Sequence, residues 1–279
     1  MPNANDEFRQ LLSDIKRVLI QQRDLFGDTL LTSPEPETRK PDESAVTAKK
    51  KYQVGSEEPD LFGFVAPKTP TAQHKLPAYP DEAWVSKANL ADFESTICTC
   101  VKCALGQTRT KFVFGVGSPN ADIVLIGEAP GADEDLQGEP FVGRAGQLLN
   151  KILEAIQLKR EEVYICNILK CRPPNNRDPQ PDEIDTCEPY LWKQLELIKP
   201  KIIVCLGRVA AQTLLRTSDS LNDLRGKVHD YRGMKLTVTY HPAALLRNPN
   251  WKRPAWEDVQ WIRKMYDQMK SDEKNNPSR

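Results

Sequence analysis

The chain has 279 residues, of which 39% are hydrophobic, and its 39 Lys and Arg residues balance its 39 Asp and Glu residues. This length allows one substantial domain with an extension, or two small domains. No run approaches the roughly 20 apolar residues of a membrane span, and no basic start precedes a short apolar core, so we expect a cytoplasmic protein. Seven cysteines are an odd number for a disulfide framework, which agrees with a reducing compartment.

The neutral total hides an uneven distribution of charge. Residues 201–279 contain fifteen Lys or Arg and eight Asp or Glu, whereas residues 91–200 contain twelve and seventeen. The basic C-terminal third therefore permits contact with phosphates without proving it.

The first ninety residues predict a helix followed by a linker. Apolar residues recur at helical spacing over 5–26, which predicts an amphipathic helix within 1–30. Residues 31–89 are rich in Pro, Glu, Lys, Ser and Thr, and they bury too little apolar surface to offset chain entropy, so they predict a disordered linker. The short LFGFV at 61–65 is either a docking motif for a partner protein or a chance apolar cluster.

Residues 90–272 alternate between β-branched runs and helical patterns, and 273–279 predict a disordered tail. Continuous apolar strands separated by helices are typical of a parallel sheet covered on both faces. We therefore expect a three-layer α/β/α domain with a central parallel sheet of about four strands. The predicted strands are 122–126, 163–168, 201–207 and 235–240, and the predicted helices lie near 144–156, 182–198, 208–215 and 255–270.

Polar or glycine-rich groups stand where each predicted strand ends. GEAPG at 127–131 follows the first strand, Asn167 ends the second, Gly207 closes the third, and His241 follows the fourth. Taken singly, GEAPG is also compatible with a tight turn, Asn167 with a cap and His241 with a hydrogen-bonded loop histidine. The carboxyl ends of parallel strands share one edge of the sheet, so together they predict a single ligand pocket.

Two cysteine pairs predict a soft metal site. Cys100 and Cys103 form a C-x2-C pair, and Cys171 and Cys187 form a C-x15-C pair. Zinc and an iron–sulfur cluster both accept four thiolates, although zinc modules usually supply two close pairs, and the spacing leaves zinc, cluster and buried free thiols open. The remaining cysteines, which lie in or beside apolar runs, are interpreted as small buried hydrophobes: Cys98, Cys166 and Cys205.

Three ordered segments carry a family resemblance: GEAPGADEDLQGEPFVGRAGQLLNKIL at 127–153, YICNILKCRPPNNRDP at 164–179 and TYHPAALLRNP at 239–249. Over about residues 98–270 the chain resembles the type 4, iron–sulfur uracil-DNA glycosylases. The resemblance implies a [4Fe-4S] cluster on the four paired cysteines. It also implies a uracil pocket built from Glu128, Ala129, Phe141, Asn167 and His241. A related branch traps its DNA covalently through a histidine in a basic insertion, which is missing from CRPPNNRDPQPDEIDTC, so we expect turnover.

The resemblance assigns roles to the pocket residues. Uracil must be extruded from the helix to be reached, and Phe141 supplies a stacking face for it. The Asn167 amide accepts from uracil N3–H and donates to O4, a pattern that cytosine inverts. The catalytic residues are His241, which donates to the departing uracil O2, and Glu128, which orients water or stabilises the sugar cation. Glu134 and Asp135 are weaker candidates, because acids at a helix start more often form a solvated cap.

A DNA surface is expected beside this pocket. Leu246 and Arg247 would enter the duplex, while Arg144, Lys170 and Arg172 would meet phosphates or simply form solvated surface. The predicted function is release of uracil from single- and double-stranded DNA by a monomer whose N-terminal tail binds a repair or replication protein. The alternative is a non-catalytic iron–sulfur DNA-binding protein associated with DNA polymerase or repair machinery.

Overall fold

The computed structural model describes residues 82–275, so the predicted helix at 5–26 and most of the predicted linker lie outside the described residues. None of the helices within 82–275 is long and apolar enough to cross a membrane. The helices are α1 (Leu90–Ile97), α2 (Leu105–Thr108), α3 (Ala132–Gln137), α4 (Arg144–Ala155), α5 (Pro181–Ile198), α6 (Arg208–Leu215), α7 (Leu221–Leu224), α8 (Pro242–Arg247) and α9 (Lys252–Asn275). The strands are β1 (Val116–Gly117), β2 (Ile123–Gly127), β3 (Tyr164–Asn167), β4 (Ile202–Leu206), β5 (His229–Tyr231) and β6 (Met234–Thr239).

The described strands form one sheet in the order β1-β3-β2-β4-β6-β5. The inner strands β3, β2, β4 and β6 are parallel and correspond to the four predicted runs, which confirms the predicted fold class. β1 and β5 add antiparallel edges that the sequence analysis did not predict. They span only two and three residues, too short for a period-two pattern to be recognised.

Each face of the sheet carries its own hydrophobic core. Ile123 and Leu125 of β2 pack in a core with side chains of α4 and α9. Val124 and Ile126 of the same strand pack in a second core with side chains of α1, α5 and α6. Successive side chains of a strand point to opposite faces, so a fully apolar strand implies helices on both sides.

The ordered domain begins earlier and ends later than the sequence predicted. Trp84, placed in the linker, is only 6% exposed, and its ring centroid lies 5.8 Å from that of Phe93 and 5.3 Å from that of Tyr190. Burial of this large ring offsets the entropy of ordering the residues around it. At the other end, α9 runs to Asn275, past the predicted start of the tail at residue 273.

Candidate active site

A cavity of about 640 Å³ opens at the carboxyl ends of the four parallel strands. The segments that follow β2, β3, β4 and β6 all contribute to its walls, as expected for an open parallel sheet. The structure brings together all five residues predicted for the uracil pocket, which line this one cavity: Glu128, Ala129, Phe141, Asn167 and His241.

Asn167 presents an unsatisfied acceptor to the cavity. Its side chain is 2% exposed, and its Oδ1 atom has no hydrogen-bond partner within residues 82–275. The backbone of Asn167 is paired in register with Gly127 of the neighbouring strand, where an added Cβ would lie 2.4 Å from Oδ1. Glycine therefore leaves room for the amide. An unpaired buried acceptor costs about 1–3 kcal/mol, which a ligand N–H group would recover.

Phe141 and His241 lie side by side, with ring centroids 5.3 Å apart and planes inclined by 32°. Phe141 has φ of 53°, a left-handed conformation that is rare for an aromatic residue. Gly146 in the first turn of α4 permits this geometry, since a Cβ there would lie 1.8 Å from the Phe141 carbonyl oxygen. The backbone strain is thus held in place by close packing at the cavity wall.

His241 is fixed in one neutral tautomer. It caps α8, where its Nδ1 atom accepts a hydrogen bond of 3.1 Å from the Ala243 backbone N–H. Burial, helped by the charge of Arg247 and opposed by that of Glu134, lowers the pKa of His241 to about 4. At neutral pH the ring is therefore uncharged, and its remaining proton lies on Nε2.

Glu128 is poised between its two protonation states. Burial and the nearby negative charge of Asp178 raise the pKa of Glu128 to about 7, although Arg208 and Arg247 pull in the opposite direction. Arg208 also lies 3.4 Å from Asp178 in an exposed ion pair. Sequence reasoning missed Asp178 and Arg208 as cavity residues. Asp178 lies in the segment between β3 and α5, and Arg208 begins α6 just after β4, so their position after a strand end was the only signal in the sequence.

The acids at the start of α3 are structural. Glu134 accepts hydrogen bonds from the backbone N–H groups of Gly131 (3.1 Å), Val142 (2.9 Å) and Gly143 (3.0 Å), which ties the start of α3 to the two residues that follow Phe141. Asp135 is 5% exposed and accepts a 2.9 Å hydrogen bond from the Thr110 N–H. Asp135 is therefore not the solvated cap that was expected.

Four of the five residues predicted to contact DNA are accessible. Arg144 is exposed at the start of α4, and Arg172 is partly exposed and donates to the Asn176 Oδ1 atom over 2.8 Å. Leu246, with 46% exposure, and the exposed Arg247 end α8, where Arg247 also lines the cavity.

The prediction for Lys170 is wrong. Its side chain is 0% exposed, and its Nζ atom donates to the Asn167 backbone oxygen over 2.7 Å and to the Gln194 Oε1 atom over 2.6 Å. No surface remains for a phosphate. The buried Nζ group instead fixes the backbone of Asn167, the residue that presents its amide to the cavity.

The paired cysteines converge beside Lys170. Cys171 and Cys187 are buried, and burial together with neighbouring thiols raises the pKa of Cys171 to about 11 and of Cys187 to about 12. The neighbours that contribute are Cys100 and Cys103 for the first and Cys171 and Cys103 for the second, so all four sulfur atoms share one region. Of the other three cysteines, Cys166 and Cys205 are buried as predicted, whereas Cys98 is partly exposed.

Hydrogen bonds from the surrounding fold reach the sulfur atoms. Arg109 donates to Cys171 Sγ over 3.4 Å, the Tyr190 hydroxyl donates to Cys100 Sγ over 3.3 Å, and the Lys170 backbone N–H donates to Cys187 Sγ over 3.3 Å. Donors of this kind suit thiolate ligands. Among residues 82–275, no three His, Cys, Asp or Glu side chains are arranged to hold a single metal ion.

Comparison with known proteins gives consistent matches. The family described as the uracil DNA glycosylase superfamily matches residues 114–262. A type-4 uracil-DNA glycosylase of Archaeoglobus fulgidus is 48% identical over 182 residues, which cover 62% of this chain and 92% of the relative. Proteins of the same description from Sulfurisphaera tokodaii and Thermotoga maritima are 45% and 44% identical, covering 63% and 58% of this chain and 84% and 86% of the relatives.

Proposed function

The chain belongs to the uracil DNA glycosylase superfamily and, within it, to the type-4 uracil-DNA glycosylases, and from its cavity we propose how its own residues excise uracil from DNA. The reaction breaks the bond between uracil and deoxyribose and leaves an abasic site for repair. The observation that carries the mechanism is the buried, unpaired Asn167 Oδ1 atom, which shares a cavity with a neutral His241 and with Glu128.

Recognition begins when the nucleotide leaves the helix. The extruded base loses its stacking neighbours, and the Phe141 ring on the cavity wall replaces one of them. Gly127 lets the Asn167 amide and the Phe141 ring lie close to β2, because an added Cβ there would lie 2.4 Å from Asn167 Oδ1 and 2.8 Å from the Phe141 ring.

Asn167 reads the base. Its Oδ1 atom accepts from N3–H of uracil, and its side-chain NH₂ group donates to O4. Cytosine offers an acceptor at N3 and a donor at its amino group, so it would leave buried polar groups unpaired on both sides. Lys170 Nζ donates to the Asn167 backbone oxygen and thereby keeps the Asn167 side-chain amide in place.

His241 stabilises the leaving group. As the glycosidic bond lengthens, negative charge collects on uracil, chiefly at O2, and the Nε2–H group donates to it. The hydrogen bond from the Ala243 N–H group to His241 Nδ1 fixes the tautomer before the substrate binds. The imidazole ring therefore does not have to reorient or change tautomer in the transition state.

Glu128 acts on the sugar side in its ionised form. Its carboxylate offsets the positive charge that grows on the deoxyribose and orients the water that attacks the anomeric carbon. With a pKa raised to about 7, Glu128 is a competent acceptor for the proton of that water near neutral pH.

The four paired cysteines, Cys100, Cys103, Cys171 and Cys187, hold a [4Fe-4S] cluster in this proposal. The convergence of the four sulfur atoms fits this group, which would be held by one thiolate on each iron. When bound, the cluster supplies a covalent staple between the segment before β2 and the loop after β3. The chain's own hydrogen bonds from Arg109 and Tyr190 orient the ligands.

The DNA surface surrounds the cavity mouth. Leu246 and Arg247 enter the duplex and hold open the gap left by the extruded nucleotide, and Arg144 and Arg172 meet phosphates. The finer parts of the proposal are action on both single- and double-stranded DNA, a monomeric state, a cytoplasmic location and a repair or replication partner for the N-terminal tail.

An abasic-site assay tests the function. Iron-loaded protein is incubated with an oligonucleotide carrying one uracil, and with a matched oligonucleotide carrying thymine, before alkaline cleavage and gel separation. We expect strand breaks only at uracil. Tight binding of the uracil oligonucleotide without any abasic product would instead support the non-catalytic alternative.

A further inference from the structure

The cavity has an outer part that the excision mechanism does not use. The whole cavity has a volume of about 640 Å³, which is typical of sites for drug-sized ligands and larger than a single pyrimidine base requires. The residues of this outer part belong to α7 and its N-cap, the end of β6 and the turn before α9: Ser220, Leu221, Asn222, Tyr240 and Trp251.

Trp251 is the exposed member of this group. It remains 40% exposed, and its ring stacks on Tyr240 with centroids 5.4 Å apart and planes inclined by only 17°. One exposed apolar side chain is ordinary. A tryptophan that is stacked on a second ring and borders a substrate cavity offers a flat, pre-oriented aromatic surface.

The stack is anchored by buried polar contacts. Tyr240 lies 4.3 Å from the Arg225 guanidinium, measured to the ring centroid, and its hydroxyl donates to Asn222 Oδ1 over 3.1 Å. Arg225 in turn makes two hydrogen bonds, of 2.7 Å and 2.9 Å, to the 6% exposed Asp258 carboxylate. Asp258 also accepts from the Thr239 hydroxyl over 2.7 Å. These contacts fix the orientation of Tyr240, and a fixed ring loses little entropy when a base stacks on its partner.

The position of the stack relates it to the excision site. Tyr240 directly precedes His241 in the chain, and Tyr240, His241 and Trp251 all line the same cavity. Arg208 and Arg247 line the same cavity and bring positive charge to the path of the backbone.

We propose that Trp251, held by Tyr240, is a stacking platform for the undamaged nucleobase that flanks the extruded uracil on the same strand. The inference rests on the proposed function and adds a second base-binding subsite to it. Every base has a π face, so the platform is tolerant of sequence, and it favours single-stranded DNA, where the flanking base has no pairing partner to give up.

The test combines two protein changes with deletion of single bases from the DNA. Trp251→Ala removes the platform, and Trp251→Phe keeps an aromatic face. Both are made in a His241→Ala background, so that the oligonucleotides stay intact. The ligands are single-stranded oligonucleotides with one uracil, together with versions in which the 5′ or the 3′ neighbour is replaced by a tetrahydrofuran residue, which keeps the phosphates and lacks the base.

We expect Trp251→Ala to raise the dissociation constant of the complete oligonucleotide by about 5- to 150-fold, the equivalent of about 1–3 kcal/mol per stacked base, and Trp251→Phe to recover most of the binding. On the oligonucleotide that lacks one of the two neighbouring bases, the parent and Trp251→Ala should bind equally. An equal loss on all three oligonucleotides would overturn the proposal, because the tryptophan would then act on the fold. Unchanged binding of the complete oligonucleotide would overturn it as well.

Uracil release by the unmodified protein, measured separately, distinguishes the two failures. If the protein releases uracil, but Trp251→Ala weakens binding equally whether or not a neighbouring base is deleted, only the proposed stacking platform is wrong. If release is absent from iron-loaded protein, the proposed function itself fails.

Discussion

Excision should depend on pH through one group, Glu128. Its pKa is raised to about 7, and the proposed role requires the ionised form. The ionised fraction then rises from about 0.09 at pH 6 to about 0.91 at pH 8, so the single-turnover rate should rise about tenfold over this range and level off above it. Because the pKa of His241 is lowered to about 4, its ring stays neutral between pH 6 and pH 8 and does not contribute to the change of rate with pH.

The matched variant is Glu128→Gln, which keeps the size of the side chain and removes its titration. We expect a rate lower by about 10²–10⁴-fold, the usual contribution of a positioned acid or base, and a flat profile between pH 6 and pH 8. Rates are measured by rapid quench with enzyme in excess over a uracil oligonucleotide, at saturation for each pH. A flat profile for the unmodified protein, or the same rising limb in Glu128→Gln, would refute the assignment.

Two further predictions concern recognition and the cluster. Asn167→Asp should lower the excision rate on uracil, because a carboxylate accepts from N3–H but does not donate to O4. If the rate on uracil and the ratio of the uracil and cytosine rates were both unchanged, Asn167 would not be the residue that recognises uracil. The purified protein should be brown, with absorbance at about 400 nm, and Cys171→Ala should lose iron and solubility together. A colourless protein that holds stoichiometric zinc after anaerobic purification would refute the cluster.

The inner sheet and the shape of the site were predictable because they follow from local pattern. The four parallel strands are continuous apolar runs, and strand ends of one polarity must meet at one edge. That rule alone placed Glu128, Asn167 and His241 around one cavity.

The features that sequence reasoning missed depend on contacts between distant segments. Lys170 has the composition of a surface residue, and its burial depends on Gln194, 24 residues further along the chain. Trp84 stands in a polar stretch and is recognisable as core only through its contact with Tyr190. The effect of Asp178 on Glu128 acts through space between two loops, which no local periodicity encodes.

The central claim is that one neutral histidine, held ready in the cavity, stabilises the departing uracil. It is tested most directly by the single-turnover excision rate of His241→Ala, with the dissociation constant of the uracil oligonucleotide measured in parallel. We expect the rate to fall by about 10²–10³-fold, the scale of losing one transition-state donor, while the dissociation constant changes little. A rate close to that of the unmodified protein would contradict the account. Stabilisation of the departing uracil would then have to come from Glu128 or from the backbone of the GEAPG turn.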